Sequence, residues 1–150
     1  KAGMSYEYRE GYLYLAIYGQ KKVIIRPHFA MKPVFYEANS LVRENSRQMS
    51  LVCGPLVYCL EEVDNGAQQH MLYASPEAVE QAETYTLPFL GREAVGYQFA
   101  GFRKKANTVS DPLYHKAERE EYQPVTLKWI PYFAWANREE GEMRVWIYKK

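Results

Sequence analysis

Short stretches in which apolar and polar side chains alternate are the feature that most constrains this fold. In residues 12–18, Leu13, Leu15 and Ile17 fall on one side and tyrosines on the other. This period of two predicts a strand with one face towards a core. Residues 23–31 alternate in the same way after a polar turn at residues 19–22, so we predict that they form a second strand paired with the first as a hairpin.

The same pattern recurs to the end of the chain. It predicts further strands near residues 34–36, 50–53, 55–61, 71–74, 84–87, 95–102, 125–130, 132–136 and 143–148, the last of these closing the fold as a hairpin. Ser75 and Pro76 offer one or two helical turns. Many short strands separated by turns indicate an all-β fold, an antiparallel β-sandwich or jelly roll with at most one short helix.

The turn residues Asp64-Asn65-Gly66 leave two domain interpretations open. Residues 1–150 form one module, or residues 1–65 end a first sandwich and residues 66–150 form a second. Residues 107–123 read as a long exposed loop.

Composition excludes several classes of function. The 150 residues carry a formal net charge of +1 without a recurring basic stripe, so we expect no nucleic-acid partner. The longest apolar runs fall far short of the ~20 residues that span a bilayer, so we expect no membrane association. Lys1 and an early strand suggest a sequence cut from a longer one. The two cysteines do not decide the cellular compartment, although their small number slightly favours the cytoplasm.

Two passages carry a resemblance to a known family. They are residues 53–61, CGPLVYCLE, and residues 130–147, IPYFAWANREEGEMRVWI. Both resemble the C-terminal region of glycoside hydrolase family 127, the β-L-arabinofuranosidase-like family formerly described as a domain of unknown function. The resemblance extends in order over essentially the whole chain.

The resemblance implies a catalytic α/α barrel followed by β-sandwich domains. It also implies a retaining reaction in which a cysteine nucleophile is held on zinc. The residues that carry out this reaction precede the matched region in the sequence. We therefore expect a C-terminal β-sandwich module without catalytic residues, cofactor or metal of its own, with zinc confined to the catalytic domain. Its expected partner is the barrel of the same polypeptide, which it braces; a homodimer and a plant-type glycan are further candidate partners.

The residues themselves agree with a non-catalytic interpretation. Cys59 lies among aliphatic neighbours and is interpreted as a buried structural thiol, and Cys53 is also expected to stay reduced. His28, His70 and His115 are scattered singly, without metal-ligand spacing.

Two groups of acids resemble the carboxylate pair of a glycosidase only in composition. They are Glu61, Glu62 and Asp64, and Glu139, Glu140 and Glu142. We interpret both groups as solvated turn residues, because neighbouring strand residues point to opposite faces and a glycosidase needs two groups that flank one bond.

Aromatic side chains near the end of the chain are the remaining candidates for contact with a partner. They are Trp129, Tyr132, Trp135 and Trp146, together with Phe133. We expect most of these rings to serve the core or an interdomain contact, with Trp135 buried. The alternatives are a carbohydrate-binding module with exposed coplanar rings and an oligomerisation domain with a self-complementary apolar patch.

Overall fold

Strands account for most of the regular structure in a computed structural model of the chain, which describes residues 3–19, 22–108, 110–117 and 119–150. The all-β class is therefore confirmed. The described strands are β1 (Gly3–Arg9), β2 (Tyr12–Tyr18), β3 (Pro33–Glu37), β4 (Gln48–Cys53), β5 (Leu56–Glu61), β6 (Leu72–Ala74), β7 (Glu83–Phe89), β8 (Arg92–Lys104), β9 (Tyr122–Pro131), β10 (Met143–Arg144) and β11 (Trp146–Lys149).

Helical segments are short, but they are more numerous than the single short helix at most that the sequence predicted. The described residues contain one α-helix, α1 (Glu62–Asn65), and four 3-10 helices, Arg43–Asn45, Gln69–Met71, Pro76–Gln81 and Tyr132–Ala134. Pro76 begins the segment for which Ser75-Pro76 predicted helical turns. No helix of the described part is long and apolar enough to cross a membrane.

The first of two compact units, Lys1–Ala30, contains the β1–β2 hairpin. Glu10 and Gly11 join its strands and both have positive φ, as a two-residue type I′ turn requires. The predicted partner of β2 is wrong, because β2 pairs with the strand before it and residues 22–32 form no strand. Within the predicted turn at residues 19–22, Gln20 and Lys21 lie outside the described residues.

The second unit, Met31–Lys150, holds one mixed sheet. The pairings β5–β9–β8–β6–β11–β4–β5 close it on itself, with β3 on the far side of β4 and β7 on β8. All pairings are antiparallel except that of β11 with β6. β10 pairs with β5 and β11 with β4, so the predicted closing hairpin is wrong. The sheet joins strands from both sides of residue 65, and the boundary between the compact units follows Ala30.

The main core lies on the inner face of this sheet. Side chains from seven strands meet there, and its fully buried members include Leu51, Leu60, Leu127, Trp129 and Ile147. Trp129 stacks on Phe99 and meets the edge of Phe35. The alternation of β5 and β9 places these residues inward and their neighbours outward.

A smaller core lies on the opposite face of β5 and β9. Cys59 and Ile130 pair there, and Leu87 and Ala94 of the β7–β8 hairpin and Ala134 complete the cluster. Both faces of β5 and β9 are therefore covered at this point. The segment that follows β9 is attached to this second core through Ala134.

Candidate functional site

Three aromatic side chains are presented at the surface directly after β9. We call residues 132–138 the aromatic turn; within it Tyr132, Phe133 and Trp135 are 46%, 51% and 40% exposed. The predicted strand at residues 132–136 is instead a 3-10 helix, in which the Trp135 N–H donates to the Tyr132 carbonyl at 3.1 Å. Ala134 points into the second core, so the larger neighbouring rings face outward.

The rings make limited contacts with each other. The ring centroids of Tyr132 and Trp135 are 5.9 Å apart with 30° between the ring planes. Phe133 meets Phe89 edge to face at 5.2 Å. The turn therefore offers two neighbouring, mutually tilted rings beside the Phe133–Phe89 pair.

An ion cluster around the buried carboxylate of Glu61 fixes the base of the turn. Glu61, at the end of β5, is buried; its Oε1 accepts the Ala136 N–H at 2.9 Å, and its Oε2 accepts Arg138 Nε at 3.1 Å. Arg138 Nη2 also donates to Glu61 and Asp64. Hydrogen bonding to Asp64, opposed in part by desolvation, raises the pKa of Arg138, so its guanidinium stays charged.

A second set of bonds ties the end of the turn region to α1. The Glu62 N–H donates to the Glu142 carbonyl at 2.9 Å, and the Glu142 N–H donates to Glu62 Oε2 at 2.8 Å. The Glu142 carboxylate accepts the N–H groups of Gln69 and Gln68, which lower the pKa of Glu142. Asn65 adds a two-way link to the backbone of Lys128.

These bonds correct the interpretation of the acids as solvated turn residues. Glu61 is buried and ion-paired, and Asp64, Glu62 and Glu142 each accept specific donors. Glu139 and Glu140 are exposed, as expected. The carboxylates that resembled a glycosidase pair are thus engaged in holding two segments together.

The other predicted contact residues lie in different environments. Trp129 is completely buried in the main core. Trp146 is half-buried on β11, opposite Ser50. Trp135 was expected in the core and is partly exposed, because the chain leaves β9 at Pro131 and strand alternation stops there. Of the four candidates, Tyr132 and Trp135 lie next to each other.

An aliphatic row crosses the sheet near the aromatic turn. Val34 pairs with Val52, and Val52 pairs with Val57, so the three side chains share one face of β3, β4 and β5. Val34 and Val57 are exposed. Val57 precedes Tyr58, whose pairing with Pro131 is the last of the β5–β9 ladder before the aromatic turn begins. The row therefore ends near the start of the turn.

The cysteines and histidines do not gather into a reactive centre. Cys53 and Cys59 are free, buried thiols in separate clusters, and Cys53 Sγ lies 3.3 Å from the Tyr97 hydroxyl. Burial, with a smaller contribution from Glu61, raises the pKa of Cys59 to about 12, which keeps it protonated and unreactive.

Zinc, which the family resemblance implies for a catalytic domain, is held by three or four converging nitrogen, sulfur or carboxylate ligands. Within residues 3–19, 22–108, 110–117 and 119–150, no group of three or more histidine, cysteine or acidic side chains could hold a metal ion. His115 is engaged with Asn107 and the Lys116 carbonyl. The residues present do not fit the metal.

Sequence reasoning missed the part played by Glu61 and Arg138. They are 77 positions apart, so no local spacing joins them. A glutamate that closes an otherwise apolar run, residues 56–61, was the one available signal of a buried carboxylate.

Comparison with known proteins gives the family. The model of the glycoside hydrolase family 127 C-terminal domain matches residues 33–148. A non-reducing end β-L-arabinofuranosidase from Bifidobacterium longum subsp. longum is 34% identical over 139 residues, which is 91% of this chain and 21% of that protein. The crystal structure of a family 127 β-L-arabinofuranosidase from Geobacillus stearothermophilus T6 superposes with a TM-score of 0.79 at 32% identity, covering 95% of this chain and 22% of the other.

Another family 127 β-arabinofuranosidase structure gives a TM-score of 0.65 at 29% identity, covering 82% of this chain and 18% of the other. The chain thus spans about a fifth of the length of these relatives. The matched region begins close to the start of the second compact unit. The chain therefore belongs to glycoside hydrolase family 127 and contains its C-terminal domain.

Proposed function

We propose that this chain is the non-catalytic accessory domain of a β-L-arabinofuranosidase-like hydrolase, and that it braces the catalytic domain through the apolar surface of the aromatic turn, with the aliphatic row near it. The observation that carries the proposal is the exposure of Tyr132, Phe133 and Trp135 on a turn tied to the buried Glu61 carboxylate. Clustered exposed apolar side chains mark interaction sites.

Two further observations support an accessory role. The arabinofuranosidases it resembles are almost five times as long as the part it matches, so most of such a protein lies outside this sequence. The carboxylates and the arginine described above form hydrogen bonds and ion pairs within the fold. The catalytic domain of the same polypeptide is therefore the proposed occupant of the apolar surface, and zinc is proposed to belong to that domain.

The proposed domain starts near residue 31. The second compact unit begins at Met31, and the family C-terminal model begins at residue 33. We assign the hairpin unit, Lys1–Ala30, to the end of a preceding β-domain. This assignment moves the boundary considered at residue 65 towards the N-terminus.

Hydroxyl-radical footprinting tests the bracing role. Tyr132 and Trp135 are oxidised in the 150-residue chain and in the full-length protein that contains it, and the yields are read by mass spectrometry. Docking predicts strong protection of both residues in the full-length protein, while Tyr114, which is 94% exposed, reacts equally in both. Equal oxidation of Tyr132 and Trp135 in the two proteins contradicts bracing through this surface. Protection that disappears on dilution to monomers assigns the surface to a homodimer instead.

Carbohydrate binding is the second candidate function. It is favoured by the neighbouring, partly exposed rings of Tyr132 and Trp135, because a sugar ring stacks on exposed aromatic faces. Calorimetry with arabino-oligosaccharides tests it, with Tyr132→Ala as the disrupting variant and Tyr36→Ala, at an exposed site on β3, as the control. Binding that Tyr132→Ala abolishes and Tyr36→Ala leaves intact favours this function over bracing.

A further inference from the structure

We infer that Glu61 is a positioning residue for the aromatic turn: its buried carboxylate holds Ala136 in a left-handed conformation and thereby sets the orientation of Tyr132 and Trp135. This inference rests on the proposed function, since it concerns the surface through which the domain acts. It names the group that makes the surface rigid.

The backbone at Ala136 shows why an anchor is needed. Its φ is +60°, a region that a residue with a Cβ adopts only when surrounding contacts impose it. Ala136 directly follows Trp135, so its backbone angle decides where the chain turns after the indole ring. Without an anchor, the turn has ordinary conformations of lower energy available to it.

The contacts at this position all act on the backbone of the turn. Glu61 Oε1 accepts the Ala136 N–H at 2.9 Å. The Asn137 amide donates to the carbonyls of Ala134 at 3.1 Å and Trp135 at 2.8 Å. Arg138 Nε donates to Glu61 Oε2, so the Glu61 carboxylate binds both Ala136 and Arg138 within the turn.

The charge on Glu61 argues for a role in specifying conformation. A buried ion pair contributes little net stability compared with well-packed apolar residues, but it penalises arrangements that separate the partners. Release of Ala136 from Glu61 would leave part of the carboxylate without a donor inside the protein. The cluster therefore penalises alternative conformations of the turn.

Fluorine NMR of the 150-residue chain labelled with 5-fluorotryptophan tests the inference. The three tryptophans supply internal controls, because Trp129 lies in the main core and Trp146 on β11. In Glu61→Gln, we expect the Trp135 resonance to broaden or split while the other two keep their positions. Glutamine has one oxygen where the carboxylate has two, so it cannot accept both the Ala136 N–H and Arg138, and one of the two bonds is lost. Arg138 retains Asp64, so the variant stays folded.

Amide exchange supplies a second measurement. The Ala136 amide proton should exchange at least about tenfold faster in Glu61→Ala, because its charged acceptor is lost. Glu80→Ala, at an exposed acid on the 3-10 helix Pro76–Gln81, is the matched control and should leave this rate unchanged. Adding Ala136→Gly to Glu61→Gln should narrow the Trp135 resonance relative to Glu61→Gln alone, since glycine takes positive φ without the strain of a Cβ.

An unchanged Trp135 resonance in Glu61→Gln, or an equal shift of the Trp129 resonance, overturns the inference. Failure of glycine to narrow the resonance also overturns it. These outcomes are read on the domain alone. Failure of the proposed docking is read from the footprint in the full-length protein, so the two failures are distinguishable.

Discussion

Replacement of Trp129 gives the sharpest test of how the main core is built. The side chain is completely buried, stacks on Phe99 at 6.0 Å and meets Phe35 at 5.8 Å. Trp129→Ala removes both ring contacts and leaves a cavity, so we expect a loss of about 3–5 kcal/mol in the free energy of unfolding.

Trp129→Phe should behave differently because of the indole nitrogen. Nε1 is buried and has no hydrogen-bond partner among the described residues. Phenylalanine buries less apolar area than tryptophan, by on the order of two methylene groups, which lowers the free energy of unfolding by about 1–2 kcal/mol. It also removes an unsatisfied donor whose burial costs about 1–3 kcal/mol. These terms offset, so we expect Trp129→Phe to lie within about 1.5 kcal/mol of the unsubstituted protein.

Urea denaturation followed by far-ultraviolet circular dichroism measures both variants. Trp135→Phe, at a partly exposed ring in the aromatic turn, is the control and should change stability by about 0.5 kcal/mol or less. The slope of free energy against urea should be the same in all variants, which permits comparison of midpoints. A Trp129→Phe loss as large as that of Trp129→Ala would refute the reasoning from the unsatisfied nitrogen.

Three further predictions follow from burial and protonation. Trp135→Ala should cost about 1–2 kcal/mol in urea denaturation, less than Trp129→Ala, because the loss of a partly exposed ring leaves no closed cavity. Thiol titration of the denatured protein without reductant should count two groups, Cys53 and Cys59, whereas the native protein should react slowly; an intramolecular bridge found by mass would contradict this. Burial raises the pKa of Tyr58 to about 12. The neutral Tyr58 side chain therefore contributes to stability below pH 10, and this contribution is lost as the pH rises from 10 to 12. Tyr58→Phe should reduce the fall in melting temperature over that range of pH.

The absence of catalysis by this chain alone is a separate consequence of the proposed function. We expect the 150-residue chain to hydrolyse no aryl β-L-arabinofuranoside and to retain no stoichiometric zinc, with the full-length protein active in the same assays. Elemental analysis and a release assay measure both properties. Turnover by the chain that survives repurification and disappears in Cys59→Ser would place the active site here.

Local sequence pattern was sufficient for most strands. The alternation in β2, β5 and β9, and the turn residues between strands, depend on neighbours a few positions apart, and the structure has strands at those places. The local pattern predicted the pairing of strands less well. Residues 23–31 alternate like a strand, but the type I′ turn at Glu10-Gly11 gives β2 its partner on the other side.

For the aromatic side chains too, local pattern predicted some positions and distant contacts decided others. Alternation places Leu127 and Trp129 on one face of β9, but it stops at Pro131, where the chain enters a 3-10 helix. The direction of Tyr132 and Trp135 then depends on Ala134 reaching the second core and on Ala136 bonding to Glu61. No period in the sequence describes those contacts.

By itself, the sequence determined the all-β class, most strand positions and the family, because period-two alternation, turn chemistry and the two long motifs are written in consecutive residues. Tertiary structure alone decided that the sheet closes on itself, that Trp129 is core while Trp135 is surface, and that Glu61 is an anchor. The reason is physical: burial and ion pairing depend on which distant segments meet. Glu61 and Arg138 are 77 positions apart, and they meet only when β5 has paired with β9 and the aromatic turn has folded.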